Sequence, residues 1–452
     1  MNRETPITEF GQARAEITPP KRILLKKLVS RLSAQKQRFQ ILSVLIFVNF
    51  LAAVLTFVTN VKIANIVGKE SFGQIAYGLA LGLYGAAVVR FGFDRTLVRD
   101  LIHYPDNFGE LTARSLILRL ITLATVTFGL VIWKITGYKT ADLTFGVMLI
   151  VIACTILSLD LRAVYDSWHR MKRHAVYNLI QKSSYFVMVW LVILLFQEKL
   201  TVRWVGTAML YSAILYLIMQ FVWASKRIDF PPLTMRLFAE AVRMGQSNLL
   251  IWFSAIACLS FGSLNQLVLK HYCGAAELGG YAAAWQIVSI GMLLLTQIAR
   301  LGNPATARVT NGNINSEARC RFLVGYSAVM VMVTLPICMP ALIWPETVLK
   351  LVFKPEYVTA ANALRLMALY LMVFSLGLVA SQYVVSVRLE KLYFVSVILG
   401  GGLGAVLCIV LIQSYKGTGA ALALLISHGL SILLYWIVIL RQFLGRKNYD
   451  SN

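Results

Sequence analysis

Three arginines stand where an arginine is costly. Arg90, Arg119 and Arg365 each fall inside a long apolar run, and a guanidinium at the centre of a bilayer costs about 2.5–3.5 kcal/mol on insertion scales. A charge kept at that cost faces a water-filled space or a partner. The planar fork of N–H donors suits a phosphate, which it holds through paired, charge-assisted hydrogen bonds. Arg119 is the foremost candidate, with the competing expectation that its side chain reaches back to the lipid headgroups. Arg90 has Asp94 one helical turn further on, so an internal ion pair also accounts for it. Arg365 and Lys270 sit towards the other side of their runs and would mark the far half of a space enclosed by several helices. Asn265 and Gln266 add uncharged donors and acceptors, suited either to sugar hydroxyls or to joining helices.

Other chemistries find no footing. The six cysteines include no CxxC pair, and Cys154, Cys258, Cys338 and Cys408 lie in apolar runs, where a thiol behaves as a small hydrophobe. His169 and His174 are five apart on a basic stretch, a spacing that does not put two metal ligands on one helical face. We expect no catalytic residues, no cofactor and no metal.

The elements that must position these residues follow from composition. The chain has 452 residues, 58% apolar and only 14% charged, with a net charge of +23. That is too apolar for an ordinary soluble domain and too poor in charge for a nucleic-acid-binding chain. A helix crosses a bilayer with roughly 20 apolar residues. Suitable runs occur at 41–61, 72–93, 112–133, 143–163, 178–196, 204–224, 246–269, 279–299, 322–344, 361–386, 392–412 and 419–440. The expected fold is therefore an all-α polytopic membrane protein of about twelve transmembrane helices. Residues 1–40 form a basic leading segment, 41–224 and 246–440 two sets of six helices, 225–245 a linker, and 441–452 a tail. The pattern of a cleaved signal peptide is absent, so the first run reads as a retained anchor.

Charge orients the chain. Of its 43 Lys and Arg, 30 fall on the side shared by both termini and 10 on the other, and cytoplasmic loops collect these residues. Both termini are expected in the cytoplasm of a multi-pass protein, with most of the positive excess drawn to anionic membrane lipids. Residues 21–38 interleave Ile23, Leu24, Leu28 and Leu32 with Lys26, Lys27 and Arg31, as a helix lying on the membrane surface does.

The two halves echo each other. GKESFGQIAYG, residues 68–78, aligns without gaps to GAAELGGYAAA, residues 274–284, at an offset of 206. Gly68 matches Gly274, Gly73 matches Gly279, and Ala76 matches Ala282. Each stretch joins the first two helices of its set of six. Halves with an even number of helices are parallel repeats about an axis along the membrane normal, a layout that favours alternating access.

Residues 60–100, NVKIANIVGKESFGQIAYGLALGLYGAAVVRFGFDRTLVRD, and residues 263–300, SLNQLVLKHYCGAAELGGYAAAWQIVSIGMLLLTQIAR, resemble the first and seventh helix pairs of the polysaccharide-biosynthesis branch of the multidrug, oligosaccharidyl-lipid and polysaccharide exporters, the Wzx-type flippases. Weaker similarity continues through residues 364–391. The resemblance implies a MATE-like fold and a transporter rather than an enzyme. Its implied substrate is an undecaprenyl-pyrophosphate-linked oligosaccharide of a bacterial inner membrane, bound in a cationic central cavity. A polysaccharide polymerase and a chain-length regulator would be the protein partners. Where family members often carry an acidic residue on the seventh helix, this chain has Asn265 and Gln266, which argues against ion coupling there. A peptidoglycan-precursor flippase would more typically carry 14 helices, a drug exporter an acidic intramembrane set, and an integral polymerase a large outer loop.

Overall fold

The computed structural model describes residues 21–136, 143–196, 200–259, 262–311, 316–387 and 389–447. Side chains of residues 21–42 lie outside that description, and with them the amphipathic face expected over 21–38. Residues 1–47 and 48–452 are separate compact units, a boundary a few residues beyond the expected end of the leading segment. The first unit holds the opening turns of α1, and the second holds the rest.

Among the described residues every regular element is helical. They are α1 (Lys21–Arg90), α2 (Phe93–His103), a 3-10 turn (Pro105–Asn107), α3 (Phe108–Ile135), α4 (Phe145–Leu157), α5 (Arg162–Ser167), α6 (Met171–Phe196), α7 (Val202–Ser225) and α8 (Met235–Cys258). After these come α9 (Ser263–Asn311), α10 (Ser316–Ile343), α11 (Pro345–Val352), a second 3-10 turn (Pro355–Ala360), α12 (Ala361–Ser386) and α13 (Glu390–Lys447). Two starts carry side-chain caps: the Thr144 and Thr234 hydroxyls accept the N–H groups of Val147 and Leu237, donors that a helix start otherwise leaves unpaired.

Nine described stretches are long and apolar enough to cross a membrane. Three of them, Ser43–Arg90, Ser263–Thr310 and Lys391–Gln442, run 48, 48 and 52 residues, more than twice the span of one crossing. Each is broken once, at Gly68, Gly274 and Lys416, and so turns back on itself. Counted as two segments apiece, these three bring the nine described stretches to twelve segments, of which the part of α9 before Gly274 is short.

The breaks at Gly68 (φ 80°, ψ 169°) and Gly274 (φ 85°, ψ 178°) share one backbone conformation. Only glycine adopts it without steric cost, so the repeat at an offset of 206 is a repeat of shape. The connections expected on either side of these glycines are helical apart from the single residue. At Lys416 (φ 50°) the Gly417 N–H freed by the turn donates to Glu277 Oε1 at 3.1 Å.

Packing follows the chain's two halves. α4 lies on α7, α7 on α6, and α2 on α5, while α12 packs against α13, α9 and α10. Buried alanines at 420, 421 and 423 on α13 and at 282, 283 and 284 on α9 bring helices close where lipid offers no hydrophobic drive for association. A smaller aromatic core of Phe91, Phe93, Leu101, Leu118, Val164 and Tyr165 closes the end of the bundle away from Gly68. We call the Gly68 and Gly274 end the hinge end, and the other the aromatic end.

Candidate functional site

The fourth crossing is interrupted. α4 ends at Leu157 and α5 starts at Arg162, leaving Ser158–Leu161 non-helical inside an apolar stretch. Such a step frees carbonyls and N–H groups that lipid cannot satisfy. Arg119 takes the carbonyls: Nη1 donates to Asp160 O at 3.0 Å and to Ser158 O at 3.5 Å. Its Nη2 lies 3.8 Å from Asp94, and the guanidinium stands over the Phe93 ring at 5.7 Å. Gln220 supplies the other half, accepting the Leu161 N–H through Oε1 at 2.8 Å. With 2% exposure, Arg119 turns its terminal nitrogens to the protein's own backbone.

Arg90 forms the i,i+4 pair with Asp94 at 3.7 Å, both side chains remaining two-fifths exposed, so the pair is weak and open to exchange. Asp94 thus sits between Arg90 and Arg119. Arg365 lies apart, exposed at the hinge end, its Nε donating to Leu342 O in the last turn of α10 at 3.1 Å. Asn265 is buried, its amide donating to Ala420 O at 3.2 Å and tying α9 to α13. Gln266 is half-buried on the neighbouring face, one turn before Lys270. Lys270 Nζ stands 5.8 Å from the Tyr77 ring of α1, so this face of α9 looks across to the N-terminal helices.

Sequence reasoning missed Lys182. It reads as the basic flank of the run at 178–196, but α6 begins at Met171, which places Lys182 about three turns into the helix. It is half-buried, and Cys154 on α4 lies within electrostatic reach of both Lys182 and Arg90. Among the described residues Lys182 has no ion pair and no hydrogen bond. An intramembrane ammonium without an anion is the group best placed to accept one.

Both ends of this region are closed. At the hinge end α1 and α9 cross in near-contact: a Cβ added at Gly73 would stand 1.8 Å from Ala275 O, and one added at Gly279 would stand 1.9 Å from Lys69 O. The contact is reciprocal, as a two-fold repeat demands. Around it Asn65 bonds Val352 O at 3.0 Å and accepts the Lys354 N–H at 2.9 Å, and Tyr357 Oη donates to Ala64 O at 2.8 Å. At the aromatic end α8 lies on α2 and α3. Trp252 stacks on Phe91 at 4.7 Å, Asn248 donates to Thr96 at 3.0 Å, and Arg114 reaches both Glu110 and Glu240 at 2.6 Å.

The Glu240 carboxyl, ahead of the membrane-spanning part, is held below the ordinary carboxylate range by the Arg236 hydrogen bond and then by Arg114. A lowered carboxyl value contributes above the ordinary range and stops contributing as pH falls through the lowered one. This latch between α3 and α8 is therefore complete at neutral pH and lost only in acid, as pH falls below the ordinary carboxylate range. Spin labels at Ser247 and His103 should show a growing long-distance population on acidification. Glu240→Gln should show the same population already at pH 7, and an unchanged distance in that variant would remove Glu240 from the latch.

The fold is shared with known transporters. An inward-closed structure of the lipid II flippase MurJ matches with a TM-score of 0.67 at 13% identity, over 88% of this chain and 89% of that one. An inward-facing multidrug resistance MATE family transporter of the MOP superfamily matches at 0.61 and 13%, over 90% and 95%. A MOP superfamily transporter from Pyrococcus furiosus, described as having a binding pocket of reverse polarity, matches at 0.52 and 16%, over 90% and 96%. No curated protein sequence matches the chain. The family model described as polysaccharide biosynthesis protein matches residues 40–305, which include both helix pairs of the repeat. The chain belongs to the polysaccharide biosynthesis protein family and has the fold of the MOP superfamily transporters.

Proposed function

We propose that the protein is a flippase that moves undecaprenyl-pyrophosphate-linked oligosaccharide repeat units across a bacterial inner membrane by alternating access. It would serve surface polysaccharide assembly (O-antigen, capsule or exopolysaccharide) beside a polymerase and a chain-length regulator. Both termini face the cytoplasm, so the aromatic end is the entry and the hinge end the exit. The observation that carries the reading is Lys182, an unpaired ammonium inside the N-terminal helices, sharing the neighbourhood of Cys154 with Arg90. These two cations receive the pyrophosphate, and Lys270 with Gln266 offers the facing contacts from α9. Arg119 and Arg365 support the helices around them. The transfer makes and breaks no covalent bond, and the family's place in polysaccharide biosynthesis supports a glycan as cargo.

Purified protein reconstituted with a fluorescent undecaprenyl-pyrophosphate oligosaccharide should speed its exchange between leaflets. Lys182→Ala should slow that exchange by about 10- to 100-fold, the worth of one hydrogen bond to a charged group, while leaving thermal stability intact. Absence of any facilitated exchange by the unmodified protein would sink the reading. Normal exchange by Lys182→Ala would remove Lys182 from it.

A further inference from the structure

A second group of cations lies outside the proposed path. At the aromatic end α6 starts at Met171 and α7 stops at Ser225, and Trp223 stands between these ends. Tyr165 stacks on one face of its ring (4.9 Å, 23°), and Trp168 meets it edge-on at 5.5 Å. What remains of the ring is taken by two guanidiniums, Arg173 with Cζ at 4.5 Å from the centroid and Arg227 with Cζ at 4.2 Å.

Two like charges on one indole repel. Each gains about 0.5–2 kcal/mol from the ring, and that gain is opposed by their mutual Coulomb energy at so short a separation. A carboxylate between them would resolve the conflict, but among the described residues none lies within 4 Å of either group. The nearby Asp166 is engaged by Arg162 at 3.5 Å. Among the described residues Arg227 donates only to Trp223 O, at 3.3 Å. Both Cζ atoms lie within 4.5 Å of one centroid, so they are no more than about 9 Å apart and need not be that far. A phosphate held through bonds of about 2.8 Å from each fork bridges Cζ atoms at any separation up to roughly 8 Å, so it can join two guanidiniums gathered on the part of the ring that Tyr165 leaves open.

The surroundings say which phosphate. Beside the two arginines Met171, Val176 and Val222 expose 43%, 44% and 54% of their surface, while Arg170, Lys172 and Lys226 are exposed around the same ends. An apolar belt meeting cations and tryptophans is the signature of the headgroup level of a bilayer. We propose that Arg173 and Arg227, gathered on the open part of the Trp223 ring, form a binding site for the phosphate of an anionic phospholipid. The occupied site neutralises the repulsion and pins the start of α6 to the end of α7.

The test is a thermal-stability titration of the full chain in a neutral detergent with phosphatidylglycerol, phosphatidylcholine or inorganic phosphate. Phosphatidylglycerol should raise the melting midpoint saturably, and the other two should not at equal concentration. Arg173→Gln with Arg227→Gln should move the half-saturating phosphatidylglycerol concentration up at least about tenfold, as loss of charged hydrogen bonds requires. Arg170→Gln with Lys172→Gln, the same change of charge off the ring, should leave it where it was. If the first pair is too unstable to titrate, Arg173→Lys with Arg227→Lys keeps both charges but not the forks and should weaken the lipid about threefold or more. Equal loss in the control pair would mean diffuse attraction, and an equal shift with inorganic phosphate would mean a free-anion site. Either result, or unchanged affinity in the ring variants, overturns the proposal.

Discussion

Gly73→Leu should arrest the protein with its hinge end open and abolish transport, an effect of at least about 100-fold on exchange if closure is an obligatory step. The added Cβ alone would stand 1.8 Å from Ala275 O and 2.9 Å from Gly279 N. Both neighbours are backbone, so no rotamer change relieves the clash, and helices α1 and α9 must separate. Local propensity works the other way, because replacing a helical glycine with a better helix former favours the helix by up to about 1 kcal/mol. A folded, monodisperse variant that fails to transport would therefore report the lost crossing and not a damaged helix. The repeat makes the same demand of Gly279→Leu, whose Cβ meets Lys69 O at 1.9 Å. Water-soluble thiol reagents applied from the hinge side should label a cysteine placed at Ala64 in either variant and not in the unsubstituted background, where Tyr357 bonds the Ala64 carbonyl. Full transport by Gly73→Leu would show that α1 and α9 never close in the working cycle.

Those glycines were visible in the sequence because the chain states them twice. Gly68 and Gly73 return as Gly274 and Gly279 at one offset, and the same backbone shape at the first pair and the same close approach at the second follow. The twelve segments were visible for a similar reason, since apolar runs of bilayer length have few other uses. What could not be read is where helices stop. The polar stretch GKES looks like a loop, yet its residues stay helical on both sides of Gly68. Conversely Ser158–Leu161 contains neither glycine nor proline, so nothing marks the break that gives Arg119 its partners. Lys182 was hidden by the same uncertainty in reverse, because a helix start seven residues earlier than expected carries a flanking lysine into the interior. Side chains that bind backbone groups are the hardest to assign from sequence. Their partners have no residue type.

Arg119→Met is where this distinction becomes measurable. The substitution keeps the apolar length of the side chain and removes every donor, leaving the carbonyls of Ser158 and Asp160 without the partner they have at 3.5 and 3.0 Å. A buried group left unsatisfied costs about 1–3 kcal/mol. The 3.5 Å contact is the weaker, and Asp94, two-fifths exposed at 3.8 Å, adds little because water screens it. Against this stands the relief of desolvating a guanidinium whose Nε is itself buried without a partner. The balance is a loss of about 2–4 kcal/mol of stability, towards the low end of what breaking a buried charge pair costs. It should appear as a lower unfolding midpoint in detergent, identical with and without lipid-linked oligosaccharide. Arg119→Lys, which can still donate to Asp160 O, should recover about half of it. Substrate affinity should survive in the fraction that remains folded, because the guanidinium is turned to the break in the fourth crossing and the cations proposed to receive the pyrophosphate are Arg90 and Lys182. A variant as stable as the unsubstituted protein but unable to move its substrate would reverse the assignment, making Arg119 the phosphate ligand and the α4–α5 step a consequence of its binding.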